Sequence, residues 1–381
     1  METWALVVGI NDYPPRTGLD PLMGAVNDAC DFADWALDPQ GGNVQRDRLF
    51  FWTYPAPDPL IGAQHPHLQT YLDIPVANQP NWILDSQPGP PRADRAPTAN
   101  EIARTADAAA AAANSLLLAG TTDCTRVLVF FAGHGLRAEE IGTDSRQTCF
   151  IANDFANARN RFLQGVVPCN SLRRILRDSG FSEALLFVDC CRTDIFFPST
   201  QVQPLFNLNT DTELEGWSVG HATHQNHRAF ETGPPNSRGA FSKTLMEGMR
   251  GLRYGPSQVL PVDRLEAYVT SNISRHTNHD QKPYFDYLPR TNPITIASGP
   301  PQIQLLPPGP IVRLARLAPV DVLEIVDQFG TVHWYGGPFP PGQTEVTVDP
   351  LPVGFYALRV VGSADRERLF NQPREKTIDA P

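Results

Sequence analysis

The chain has 381 residues, with 31 Lys and Arg against 41 Asp and Glu and a formal charge of −10. It carries no basic run, which excludes the electrostatic footprint of a nucleic-acid or anionic-membrane binder. Six scattered cysteines do not make a disulfide framework, and no apolar stretch approaches the ~18 residues of a membrane-spanning helix. The start, Met1-Glu2-Thr3-Trp4, enters a strand without a basic leader, so the expectation is a soluble cytoplasmic protein with reduced thiols.

Ala5 to Ile10 read as a first buried strand, and a Pro-bearing loop follows from Asn11 to Pro21. Leu22, Val26, Ala29, Cys30, Ala33 and Leu37 recur at helical spacing and predict an amphipathic helix ending before Gly41-Gly42. A strand is expected at Arg48 to Thr53, then a long irregular interval from Tyr54 to Pro97. Thr98-Ala99-Asn100-Glu101 is a capping box that opens an Ala-rich helix through Leu118. Val127 to Phe131 predict a buried strand, Thr148 to Ala152 a short extra one, and Asn170 a cap for a helix that stops before Gly180. Leu185 to Val188 form the next buried strand, and Thr193 to Glu215 have no period and read as an exposed loop. Trp217 to Thr223 suit a strand, and helices follow around Ala240 to Met249 and Val262 to Val269. This alternation predicts an α/β fold for residues 1–300, with a doubly wound, mostly parallel sheet flanked by helices. From residue 301 on, five short β-like runs follow Pro-rich linker material: Ile311 to Leu314, Val320 to Val326, Thr331 to Tyr335, Glu345 to Val348 and Phe355 to Val361. They predict a small antiparallel, immunoglobulin-like sandwich over 301–381.

Two of the buried strands end in reactive groups. Val127 to Phe131 run into Ala132-Gly133-His134-Gly135, and Leu185 to Val188 run into Asp189-Cys190-Cys191-Arg192. In a parallel sheet both ends open on the same edge, where open α/β sheets bind ligands. A thiol, an imidazole and a carboxylate meeting there suggest a cysteine nucleophile with a histidine base. A phosphatase loop is excluded, since the arginine of a Cys-x5-Arg pattern would fall on Phe197. His221, His224 and His227 have no acidic partner beside them and are read as loop or strand-edge residues, with no metal expected.

The pair Ala-Gly-His-Gly and Asp-Cys-Cys-Arg, roughly 57 residues apart, resembles the caspase and metacaspase superfamily of cysteine peptidases, where that separation is ~50. Gly24-Ala25-Val26-Asn27-Asp28-Ala29 resembles a metacaspase stretch, as do Arg238-Gly239-Ala240-Phe241-Ser242 and Gln281-Lys282-Pro283. The resemblance implies Cys191 as nucleophile, with Cys190 a buried neighbour, His134 as acid and base, and the backbone N–H groups of Gly135 and Cys191 as oxyanion donors. It also implies an S1 pocket in which Asp28 and Asp189 together hold a P1 Arg or Lys, with Ala25 and Ala132 as small wall residues.

The implied partners are protein or peptide substrates and a partner or activator for the C-terminal domain, with neither nucleic acid nor membrane. No cofactor is implied, and the paired aspartates that would suggest calcium activation are missing from Thr223 to His227. Arg228 and Arg238 stand as P1 residues for self-cleavage, a depressed thiol pKa is expected to make Cys191 the fastest cysteine to alkylate, and a defence or stress role is implied by analogy. The competing reading is an inactive caspase-like scaffold that recruits a partner through its C-terminal domain.

Overall fold

The computed structural model describes residues 1–58, 64–73, 97–122, 124–141, 146–156, 162–178, 181–192, 201–202, 216–233, 237–253, 258–289, 293–300, 311–314, 321–327, 332–339, 343–348, 354–361, 363, 367–372 and 377–379. These fall into two compact units, Met1–Gln302 and Ile303–Pro381.

The first unit contains, in chain order, β1 (Glu2–Ile10), α1 (Ala25–Leu37), β2 (Leu49–Tyr54), α2 (Pro66–Leu72), α3 (Ala99–Leu118), β3 (Thr125–Ala132), β4 (Gly135–Glu140), β5 (Arg146–Ala156) and β6 (Phe162–Pro168). It continues with α4 (Cys169–Asp178), β7 (Glu183–Asp189), β8 (Gln201–Val202), β9 (Gly216–His221), α5 (Ala240–Gly251), β10 (Val259–Pro261), α6 (Val262–Asn272), β11 (Tyr284–Leu288) and β12 (Thr295–Ser298). The main sheet is ordered β11-β9-β7-β3-β1-β2, with five parallel strands and β11 antiparallel at one edge. β1, β3 and β7 are buried along nearly their whole length, which is why their sequences are unbroken apolar runs rather than alternations.

Helix α3 opens on the predicted capping box: Thr98 Oγ1 accepts the Glu101 N–H at 3.2 Å, and Glu101 returns a carboxylate to the Thr98 N–H at 2.7 Å. Helix α4 departs from expectation. It begins at Cys169, so Asn170 lies in its first turn, and the Asn170 N–H is satisfied by Gln147 Oε1 at 2.6 Å; Gly180 lies outside the described residues. Helix α1 departs further, because it is buried on every face except at Asn27 and takes Asp28, Asp31 and Asp34 inside with it. Spaced three apart, those carboxylates share one helical stripe. Buried charges of one sign persist only beside cations, and Arg238 and Arg250 supply them.

The strand expected near Thr148 is one of four: β4, β5, β6 and β8 close on one another in a small second sheet. Of the expected loop from Thr193 to Glu215, β8 falls among the described residues, and the interval from Tyr54 to Pro97, expected to be irregular, holds helix α2.

The second unit holds β13 (Ile311–Arg313), β14 (Leu323–Asp327), β15 (Val332–Gly336), β16 (Glu345–Thr347), β17 (Gly354–Val360), β18 (Glu367–Gln372) and β19 (Thr377–Asp379). They form one sheet of order β16-β13-β19 and one of order β15-β14-β17-β18, with a common apolar core from Val312 and Ile378 to Leu323, Ile325, Leu358 and Phe370. The unit is not antiparallel throughout, since β13 and β19 pair in parallel. Two of its strands lie past the last run read from the sequence. β18 exposes Glu367, Arg368 and Leu369, and β19 is three residues long with Ile378 as its one apolar residue, so neither carries an apolar pattern.

Candidate active site

Strands β3 and β7 pair in parallel with Ala132 opposite Asp189, and the Gly133 N–H donates to the Asp189 carbonyl at 3.2 Å. His134 and Cys191 each lie two residues beyond that pair. The register therefore brings the imidazole and the thiol to one rim of the sheet. Helix α1 starts at the same rim because Asn11 Oδ1, just past β1, accepts the Val26 N–H at 3.1 Å. A cavity of about 70 Å³ opens there, lined by Ala25, Asp28, Ala132, His134, Asp189 and Cys191. Of the catalytic, oxyanion and S1 residues expected from the sequence, Gly135 is absent from this lining. It packs against the cysteines, where a Cβ would lie 2.2 Å from Cys190 Sγ and 2.8 Å from the Cys191 carbonyl oxygen, so no side chain fits.

His134 is held from two sides. Its N–H donates to the Tyr13 hydroxyl at 2.9 Å, and that hydroxyl donates on to the Ile151 carbonyl at 3.4 Å. Its Nε2 lies 2.7 Å from the Asp20 carbonyl oxygen. A carbonyl only accepts, so Nε2 carries the proton and Nδ1 is left as the basic nitrogen.

Cys191 Sγ faces the Ala229 carbonyl at 3.8 Å. Burial, and to a lesser degree the charge of Asp189, push its thiol above the usual range, which overturns the expected depressed pKa. The resting group is a thiol that needs a base. Cys190 is 2 % exposed and its pKa is raised much further by the same desolvation, so it packs as a small apolar side chain.

The acids are not equivalent. Asp189 accepts the Ser242 N–H at 3.0 Å and the Ser242 hydroxyl at 2.6 Å, both on Oδ2, and among the described residues Oδ1 accepts no hydrogen bond. Burial pushes its carboxyl up to about 6. Asp28 has both oxygens engaged, Oδ1 by the guanidinium of Arg238 and Oδ2 by the Gly239 N–H at 2.7 Å. The expected pair of open carboxylates is thus one open and one closed. Arg238 is also removed as a self-cleavage residue, because its guanidinium is held by Asp28 and Asp31, its carbonyl accepts the Thr232 N–H, and the next N–H is spent on Asp28.

A third carboxylate, Glu231, lines the cavity and was not assigned from the sequence. It accepts the Gly24 N–H at 2.6 Å and the Met23 N–H at 3.1 Å, and so satisfies donors at the start of α1. Among the described residues, no Lys or Arg lines the cavity.

Sequence reading also missed Tyr13, the Asp20 carbonyl and the Ala229 carbonyl. Backbone groups leave no side-chain signal, but Tyr13 follows β1 as an aromatic in a polar loop and was in principle visible. Arg192 turns inward to Thr148 Oγ1 at 2.8 Å and the Thr223 carbonyl at 3.1 Å, away from any substrate role. His221 and His224 pack on Tyr284, and the described residues bring no three His, Cys, Asp or Glu together in a metal-holding set.

The Gln-Lys-Pro stretch has a positioning role. Gln281 Oε1 accepts the Phe230 N–H at 3.1 Å while its Nε2 donates to the Ala222 carbonyl at 2.9 Å, bracing the wall that presents Ala229 to Cys191. Gln281→Leu removes the partner of the part-buried Phe230 N–H and of the buried Ala222 carbonyl. It is expected to cost about 1–3 kcal/mol of stability and to lower kcat several-fold, measured by thermal melting and peptide turnover on one preparation.

The caspase domain family matches residues 2–292. A probable protease from a Desulfuromonadales bacterium is 24 % identical over 264 residues, which make up 66 % of this chain and 26 % of that protein, so the chain spans about a quarter of that relative's length. A Geobacter sulfurreducens protein of known crystal structure aligns over 75 % of this chain and 93 % of its own, at 13 % identity and a TM-score of 0.40. With its thiol and imidazole on the rim of a mostly parallel sheet, and with the family match covering nearly all of the first unit, this chain belongs to the caspase-domain family of cysteine peptidases.

Proposed function

We propose that this protein is an endopeptidase in which Cys191 is the nucleophile and His134 the acid and base, cleaving after Arg or Lys at P1. The observation that carries this reading is the cavity in which Cys191 and His134 share walls with Asp28, Asp189 and Glu231 and, among the described residues, with no Lys or Arg. A positive side chain entering it is attracted, and a carboxylate is repelled.

In this reading His134 Nδ1 takes the Sγ proton while Nε2 stays bonded to the Asp20 carbonyl, which holds the ring in place. The thiolate adds to the scissile carbonyl, and the N–H groups of Gly135 and Cys191 hold the oxyanion. The C–N bond breaks as Nδ1 returns the proton to the leaving amine. A water deprotonated by Nδ1 then releases the acyl group and restores the thiol.

Fluorogenic peptides that differ only at P1 test the reading. P1 Arg and Lys are expected to turn over, and P1 Asp to be slower by roughly 10²-fold or more, the cost of placing like charges together. Equal silence of the wild type and Cys191→Ala toward all three, with calcium or with chelator, removes the proposal. Self-processing after the exposed Arg228, and none after Arg238, is the pattern expected in intact-mass spectra. We assign the second unit to an immunoglobulin-like accessory domain that recruits a partner or activator, and a defence or stress role to the whole by family analogy.

A further inference from the structure

We propose that Arg238 sets the balance between Lys and Arg at P1 by occupying, from within the protein, the carboxylate that would otherwise complete a guanidinium fork. The inference rests on the reading above of the cavity as the S1 site. Arg238 is largely buried, with Nε on Asp28 Oδ1 and Nη2 on Asp31 Oδ2 at 2.6 Å. Asp28 Oδ2 is held by the Gly239 N–H, and Glu231 by Met23 and Gly24. Among the carboxylate oxygens of Asp28, Asp189 and Glu231, the one that accepts no hydrogen bond from the described residues is Asp189 Oδ1, with Oδ2 already fixed by Ser242.

One acceptor oxygen does not distinguish the two basic side chains. An ammonium is a compact charge whose donors converge on a point, whereas a guanidinium gains its advantage from two parallel hydrogen bonds to two oxygens. The resident guanidinium removes that advantage and leaves a net attraction for either cation. Two features make Arg238 fit this role rather than that of a pure core contact. It immediately precedes Gly239, whose hypothetical Cβ would lie 2.0 Å from Asp189 Oδ2 and 3.0 Å from Asp28 Oδ2, so the Arg238-Gly239 backbone passes directly over both acids. And Asp31 has its own second cation in Arg250, so the deeper pair survives the loss of Arg238 while Asp28 alone is set free.

The test compares kcat/KM for P1-Arg and P1-Lys peptides in the wild type, in Arg238→Met and in the double variant Arg238→Met/Asp28→Asn. The wild-type Arg-to-Lys ratio is expected within about threefold of one, and Arg238→Met is expected to raise it about tenfold, what one added charge-assisted hydrogen bond supplies. The double variant buries no unpaired charge, so it remains informative if the single variant fails to fold. It is expected to keep the wild-type ratio, because Asp189 alone still holds P1. An unchanged ratio in Arg238→Met, or a double variant that loses turnover of both basic peptides while still reacting with a thiol-directed alkylator at Cys191, overturns the role of Arg238. Absence of P1-basic cleavage in the wild type would instead refute the S1 reading itself.

Discussion

Cys191→Ala is expected to lower kcat for a P1-Arg peptide by about 10⁴-fold or more, the scale on which loss of a covalent nucleophile acts. The adjacent thiol offers no substitute. Cys190 is closed off beneath Gly135, and its raised pKa leaves almost no thiolate. Cys190→Ala should therefore cost stability through a small cavity and leave a measurable rate, and the contrast between neighbouring alanine variants identifies the nucleophile. Alkylation by iodoacetamide gives a second readout. Four of the six cysteines are buried, so labelling at neutral pH is expected to divide between the partly exposed Cys124 and Cys191, with the Cys191 share falling in a His134→Ala variant. A Cys191→Ala protein with wild-type turnover, or a Cys190→Ala protein with none, would end the assignment.

The second large effect is expected at Asp189. In Asp189→Asn the amide oxygen can still accept from Ser242, so the loop keeps its anchor, but an NH₂ donor replaces Oδ1 and faces the P1 cation. The loss in kcat/KM for P1 Arg is expected to be roughly 10²–10³-fold, the ~3–4 kcal/mol lost when one partner of a desolvated charge pair is removed. The wild-type pH profile carries the same information. With the Asp189 carboxyl pushed up to about 6 by burial, its anionic form dominates above that pH and declines below it. Because binding needs the anion, kcat/KM for P1 Arg divided by that for the neutral isostere citrulline is expected to be flat at alkaline pH and to fall as pH drops through about 6. The quotient cancels the ionisations of Cys191 and His134, which act on both peptides. A quotient independent of pH in the wild type, or one that still falls in Asp189→Asn, contradicts the assignment of Asp189 to P1.

The residues that meet at the rim were legible one strand at a time. Val127 to Phe131 and Leu185 to Val188 are apolar on both faces, and a chain that ends such a run in His134 or in Asp189-Cys190-Cys191 has to place those groups at the edge of a sheet, because the interior cannot hold them. β4 and β18 were not legible for the opposite reason. Each mixes charged with apolar residues over six positions, and what makes them strands is pairing with β5 and β17 rather than a pattern of their own.

Amino-acid order alone determined the mostly parallel sheet, its two reactive strand ends and the small residues Ala25 and Ala132 around them, since burial of apolar strands depends on local pattern. Which acids are open was decided only by the fold. Arg238 and Asp28 are 210 residues apart, and their pairing exists because α1 carries three aspartates into the interior, where Arg238 before α5 and Arg250 in its last turn neutralise them. Charge compensation at that range has no local signature, so Asp28, an expected S1 acid from the resemblance of its stretch, stands in the fold as a partner of Arg238, while the Asp189 carboxylate is held by Ser242 alone among the described residues.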